Sequence, residues 1–233
     1  MIMNANEMNN KLLGDIVAND FRSAEIFKEA GIDFCCGGKK TLAEACKEKG
    51  LNINEVADRL KKIQEEPASP GQNFKEWSLD FLSDYIVNTH HNYVRRTMPD
   101  LLFYTAKIAS VHGENHPELK EVADLFMQIE AELTQHMKME EDVLFPAIKT
   151  ALRGNSSVVK ERIHSEITRM SGEHEFAGGA MDKINEITGN YKVPADGCNT
   201  YNVTFKLLRQ FEDDLHVHVH LENNILFPKA LAL

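Results

Sequence analysis

The 233-residue chain is 42% hydrophobic and 27% charged, enough apolar material for one large globular domain or for a large and a small one. Its formal net charge of −10, with no basic stretch interleaved with aromatics, makes the bulk electrostatics unfavourable for phosphate backbones, so nucleic acid is not an expected partner. No apolar run approaches membrane-spanning length, Met1–Glu7 lacks the basic and apolar regions of a signal peptide, and four cysteines (Cys35, Cys36, Cys46, Cys198) are too few and too uneven for a disulfide framework. These features predict a cytoplasmic protein in a reducing compartment with no membrane partner.

Residues 1–65 carry short helical patterns and read as a small all-α unit. Leu12–Asn19 forms one stretch and Arg22–Ala30 another, stopping at Gly31, a favoured helix terminator. A loop follows at Asp33-Phe34-Cys35-Cys36-Gly37-Gly38. Thr41 with Glu44 three residues later spells a capping box, Gly50 ends that helix, and Asn54 opens a fourth running toward Glu65. Two prolines and a glycine make 66–74 a linker. From 75 to 233 the chain holds four long helical patterns, about 75–111, 117–150, 156–188 and 199–230, separated by turns at 112–117, 154–156 and 189–197. Short turns between long helices predict an up-down-up-down four-helix bundle.

The second and fourth of these patterns contain a repeat, His136…Glu140…Leu144-Phe145-Pro146 and His218…Glu222…Leu226-Phe227-Pro228. It extends upstream, where Phe126, Ile129 and Leu133 precede His136 as Leu208, Phe211 and Leu215 precede His218. Steps of three and four put each imidazole and carboxylate into an apolar helix face, and two buried glutamates with no lysine or arginine on the stripe need a compensating cation. In the third pattern His174 interrupts a similar face among Ile167, Met170, Ala177 and Met181. In the first, periodicity does not choose between His90, in phase with Ile86 and Leu101, and His91, in phase with Val87, Val94 and Met98.

The ligand set read from the residues is therefore His136, Glu140, His174, His218, Glu222 and one of His90 or His91. Without a thiolate, it suits iron or manganese better than an iron-sulfur cluster. The count suits two metals about 3.5–4 Å apart, with bridging glutamates and open positions. Ferritin-like Glu-x-x-His and zincin His-Glu-x-x-His spacings are absent. A lone histidine on an apolar face is more often a core residue than a ligand, and it is the repeated pair that tips the balance here. His216 and His220 read as solvent-exposed on the opposite face from His218, His112 and His116 lie in a turn, and His164 sits beside the stripe. None of these is an expected ligand. The Leu-Phe-Pro triplets read as packing and helix-shaping elements, since proline frees a carbonyl one turn back and bends or ends the helix.

In the double-cysteine loop the glycines allow a tight turn, while Lys39, Lys40 and the following helix N-terminus are expected to lower a thiol pKa. Two ordinary reduced cysteines in a turn is the equal alternative. With this loop joined to both His-x3-Glu motifs and the Leu221–Pro228 ending, nearly the whole chain resembles the iron-sulfur cluster repair di-iron proteins, an N-terminal double-cysteine domain followed by a hemerythrin-like bundle. The resemblance implies two iron ions per chain, oxo- and carboxylate-bridged, held by His91, His136, Glu140, His174, His218 and Glu222. His91 is preferred because its spacing to Pro99 matches the family pattern. It further implies a cytoplasmic homodimer that restores damaged iron-sulfur proteins under oxidative or nitrosative stress by donating iron, with Cys35 and Cys36 as thiol ligands or redox groups. That role is a repair factor more than an enzyme. Nitric oxide reduction at the di-iron centre, or hemerythrin-like binding or sensing of oxygen or nitric oxide, are the alternatives.

Overall fold

A computed structural model of the chain describes residues 8–65, 73–154 and 156–233. Met1–Glu7, most of the expected linker (66–72) and Asn155 of the second bundle turn lie outside the described residues. Among those described, the named elements are all helical, beside one isolated bridge between Leu12 and Thr41. By compactness the chain divides into two units. The first runs to Leu82 and takes back Val219–Ala232, and the second spans Ser83–His218 with Leu233.

In the first unit α1 (Leu13–Asn19), α2 (Ser23–Glu29), α3 (Leu42–Lys49) and α4 (Ile53–Glu65) surround a core that includes Leu13, Phe27, Leu42 and Leu60. Local chemistry sets the ends. The Glu44 amide donates to Thr41 Oγ1 at 3.2 Å and the Thr41 amide to Glu44 Oε2 at 2.8 Å, so the capping box satisfies two otherwise orphan donors. Gly31 and Gly50 take φ of 64° and 66°, a left-handed conformation that a β-carbon would strain. A single 3-10 turn, Gly37–Lys39, carries the glycines of the cysteine loop, and another, Phe74–Glu76, stands where the first long helix was expected to begin. The returning C-terminal segment is tied in by Lys229, whose Nζ donates to the carbonyls of Lys75 (3.0 Å) and Trp77 (2.6 Å).

Most of the second unit is a helical bundle, of which Leu79–Leu82 and Val219–Leu231 fall in the first unit. Its first helix is built of α5 (Leu79–Ile86), a π-helical turn at Val87–His91 and α6 (Asn92–His112), and its second of α7 (Glu118–Met139), a π-helical turn at Glu140–Leu144 and α8 (Phe145–Ala151). The third is α9 (Ser157–Ile187), and the fourth is α10 (Asn199–Leu221), which continues past the unit boundary through a π-helical turn at Glu222–Leu226 into α11 (Phe227–Leu231). The repeat positions Phe126, Ile129, Leu133, Leu208, Phe211 and Leu215 are all buried, and Phe126 meets Phe211 edge-on at 5.3 Å. Such aromatic pairs add directional packing to area burial.

The prolines of the two Leu-Phe-Pro triplets do not end their helices. Each lacks the amide that would bond the carbonyl four residues back, Asp142 for Pro146 and Asn224 for Pro228, and both carbonyls lie inside a π turn. The ladder widens instead, with the amides of Phe145 and Phe227 donating to the carbonyls of Glu140 and Glu222, five residues back.

Candidate metal centre

Five of the six expected ligands belong to the bundle unit, and each is at most 1% exposed. His91 closes the first π turn, Glu140 opens the second, and His136, His174 and His218 come from α7, α9 and α10. Ligand atoms of His91, Glu140 and His218 lie within 4.8 Å of one another, and so do those of His136, Glu140 and His174. Glu140 is thus common to two triads. Its Oε2 stands 3.3 Å from both His91 Nε2 and His136 Nε2, and His174 Nε2 is 3.1 Å from His136 Nε2. Glu222, wholly buried, opens the π turn one helical turn beyond His218.

The outer nitrogens explain why the inner ones face the centre. His91 Nδ1 is 2.6 Å from Glu141 Oε1, and Arg95 pairs with the same oxygen. His136 Nδ1 is 2.7 Å from Glu173 Oε2, and Arg169 Nη1 is 2.9 Å from Glu173 Oε1. The His136 hydrogen bond, aided by the His136 and Arg169 charges, holds the Glu173 carboxyl below the usual range despite partial burial. An ionised acceptor at Nδ1 fixes the proton there and leaves the Nε2 lone pair for a metal, the carboxylate–histidine arrangement common at metal sites. Converging imidazole lone pairs around a buried carboxylate fit a divalent transition metal, which supplies the charge that Glu140 otherwise lacks. Glu141 and Glu173 were not anticipated from the sequence. Their signal is an acidic neighbour beside a ligand, rotated about 100° around the helix and so aimed at the next helix's imidazole.

The structure separates His90 from His91. Both are buried, but His90 turns its Nδ1 to Asp214 Oδ1 at 3.0 Å and stacks on His218 at 5.6 Å, while only His91 joins the ligand cluster. The extra residue in the π turn puts Ile86 in phase with one and Val94 in phase with the other, so no single helical period could choose. His164 is exposed and His216 half-buried. His220 overturns its expectation of exposure. It is wholly buried in the first unit, edge-on to Phe34 at 5.6 Å, and burial lowers its pKa to about 4.

The cysteine loop also departs from expectation. The amides of Cys35 and Cys36 donate to Asp33 Oδ1 (2.9 and 3.1 Å) and that of Gly37 to Oδ2 (2.7 Å). The buried Cys35 thiol donates to Asp33 Oδ1 at 3.0 Å. Its pKa is raised, foremost by the hydrogen bond with Cys36, then by burial and the Asp33 charge. The lysines expected to lower it are exposed, and Lys40 is engaged by Glu48 at 2.6 Å. Cys36 is half-buried, and none of the four cysteines is in a disulfide. The lowered thiol is Cys198. It is exposed before α10 with Sγ 3.1 Å from His112 Nε2, and that hydrogen bond with backbone donors brings it to about 7.

Among the described residues no helix is long and apolar enough to cross a membrane. Residues 82–230 match the hemerythrin HHE cation binding domain, and residues 9–64 match a domain of unknown function, DUF542. The chain is 34% identical over 219 residues, covering 94% of it and 96% of the relative, to the iron-sulfur cluster repair protein YtfE of Pectobacterium atrosepticum. It is 34% identical over 222 residues to the YtfE protein of Yersinia pestis, with 95% and 97% covered. The YtfE protein of Yersinia pseudotuberculosis is 33% identical over the same length and coverage.

Proposed function

This chain belongs to the family of the YtfE iron-sulfur cluster repair proteins, and from that membership and the buried histidine–carboxylate centre we propose that it restores iron-sulfur clusters damaged by oxidative or nitrosative agents by donating iron. The observation that carries the reading is the pair of histidine triads sharing Glu140.

In this reading His91 and His218 would hold one iron, and His136 and His174 a second. Glu140 and, by the repeat, Glu222 would supply the carboxylate ligands. The repeat supports Glu222, since it follows His218 at the spacing by which Glu140 follows His136 and opens the same kind of π turn. Bound iron supplies the transferable ion. The chain's residues set how firmly it is held. Glu141 and Glu173 keep the Nε2 atoms deprotonated, Glu140 neutralises charge in a dry site, and two imidazoles plus shared carboxylates per ion leave positions open to an incoming client ligand. Cys36, the more accessible thiol of the loop, is the group that meets the client, and Cys35 supports it as a protonated donor to Asp33. The protein acts in the cytoplasm, where thiols stay reduced, and as the homodimer that the resemblance implies.

The test mixes iron-loaded full-length protein with an enzyme whose cluster has been damaged. Recovery of that enzyme with matching loss of iron from the donor is expected, and Glu140→Ala should neither load nor repair. Full retention of iron without recovery would end the proposal. Replacing both Cys35 and Cys36 by serine should leave iron loading intact and impair repair.

The shared carboxylate also favours a second reading, because adjacent metals can bring two nitric oxide molecules together. With two electrons and two protons from a reductant they yield nitrous oxide and water. Many turnovers of nitrous oxide per chain would establish it, and a stoichiometric adduct would discard it.

A further inference from the structure

The cysteine loop and Glu222 belong to the same compact unit, and one side chain joins them. Asn224 lies two residues after Glu222 in the same π turn. Its Nδ2 reaches the carbonyl of Phe34 at 3.2 Å and that of Cys35 at 3.1 Å. Two carbonyl acceptors at these distances fix the amide orientation, since only the nitrogen end can donate. His220 Nδ1, one turn back and wholly buried, stands 3.1 Å from the same nitrogen.

The fit around this amide is close on both sides. A β-carbon at Gly38, within the loop's own 3-10 turn, would come 2.2 Å from Asn224 Oδ1, and one at Gly14 of α1 would come 2.3 Å from it. Neither glycine has positive φ, so close approach of the Asn224 side chain, not backbone conformation, is what demands glycine there. The two neighbours are rigid in their own right. Asp33 gathers three loop amides, and the Phe227 amide closes the turn on the Glu222 carbonyl.

We propose that Asn224 is a positioning residue that makes the double-cysteine loop and the Glu222 turn one coupled element, so that metal occupancy and thiol accessibility control each other. The idea rests on Glu222 being a metal ligand. A loop displaced by a substituent on its thiols pulls the Asn224 amide from its pocket and with it the turn that aims Glu222. Metal held by Glu222 keeps the turn, and through it the loop, in place. Linkage gives the effect the same sign in both directions, so metal that steadies the loop shields the thiols and a substituent on the thiols weakens metal binding.

The experiment uses the full chain, loaded with iron(II) under anaerobic conditions or stripped with a chelator, and follows iodoacetamide labelling by peptide mass spectrometry. Iron should slow labelling of Cys35 and Cys36 by about fivefold or more, the lower end of typical coupling, while Cys198 serves as the internal control. Prior labelling should in turn weaken iron retention in a chelator competition. Asn224→Asp keeps the size of the side chain but loses both N–H donors, and should bring the loaded and stripped labelling rates together. A purely structural role would shift the melting temperature without moving that ratio. Equal rates with and without iron in the unmodified protein overturn the coupling, even if the variant fails to fold. Undiminished iron content in Glu222→Ala instead defeats the reading of Glu222 as a ligand, and the coupling with it.

Discussion

A metal-ligating histidine usually has its second nitrogen held by another group, and Glu141 and Glu173 hold those of the candidate ligands His91 and His136. Glu141→Gln and Glu173→Gln should each lower metal affinity by about 10–100-fold, since an amide neither enforces the Nδ1–H tautomer nor adds charge to the ring. Chelator competition measures this, and wild-type retention in both variants would show that these carboxylates do not tune the centre. The clustering of the candidate ligands His91, His136, Glu140, His174 and His218 was legible because helical spacing survives in the sequence. Their carboxylate partners were not, because each lies on another helix from the imidazole it serves. Cys198 escaped notice for the same reason, its partner His112 being 86 residues away. With its pKa lowered to about 7, its labelling by iodoacetamide should reach half-maximum near that pH and fall about tenfold per unit below it as the thiolate is protonated. His112→Gln should move the midpoint upward, and an unchanged profile would remove His112 as the cause.

At the level of helices, the three π turns matter more than their length suggests. His91, Glu140 and Glu222 each occupy one, and the inserted residue changes which face of the helix follows it. The helices themselves were readable from their periodicity, as were the capping box at Thr41 and the glycine stops, because these depend on neighbours in sequence. The π turns showed only indirectly, as the divided phase around His90 and His91 and as prolines within helical patterns. Pro146 denies the Asp142 carbonyl its ordinary donor, so Pro146→Ala should let Glu140–Leu144 tighten toward an α-helix. Glu140 would then be rotated away from His91 and His136. The stripped variant should be at least as heat-stable as the stripped parent, and the iron-loaded variant should retain its iron clearly less well. Unchanged retention would mean that packing, not the missing amide, maintains the wide turn.

For the molecule as a whole, the unexpected feature is that its first unit is made from both ends of the chain. The patterns before Glu65 predict each helix of that unit but carry no sign that Val219–Ala232 packs with them, since a helical face records that it is buried and not what covers it. The π turn Glu222–Leu226 lies against α1, and Leu221, Ile225, Leu226 and Phe227 are each at most 2% exposed. Burying such side chains is worth about 1.5–3 kcal/mol apiece. Four of them together approach the whole stability of a small domain, about 5–15 kcal/mol. A fragment ending at Leu82 is therefore expected to lack a cooperative thermal transition by circular dichroism, although it holds every helix of the DUF542 match. Adding a peptide spanning 219–233 should recover helicity and a melting transition. If residues 1–82 melt cooperatively alone, the returning segment is an accessory to that unit and not part of its core.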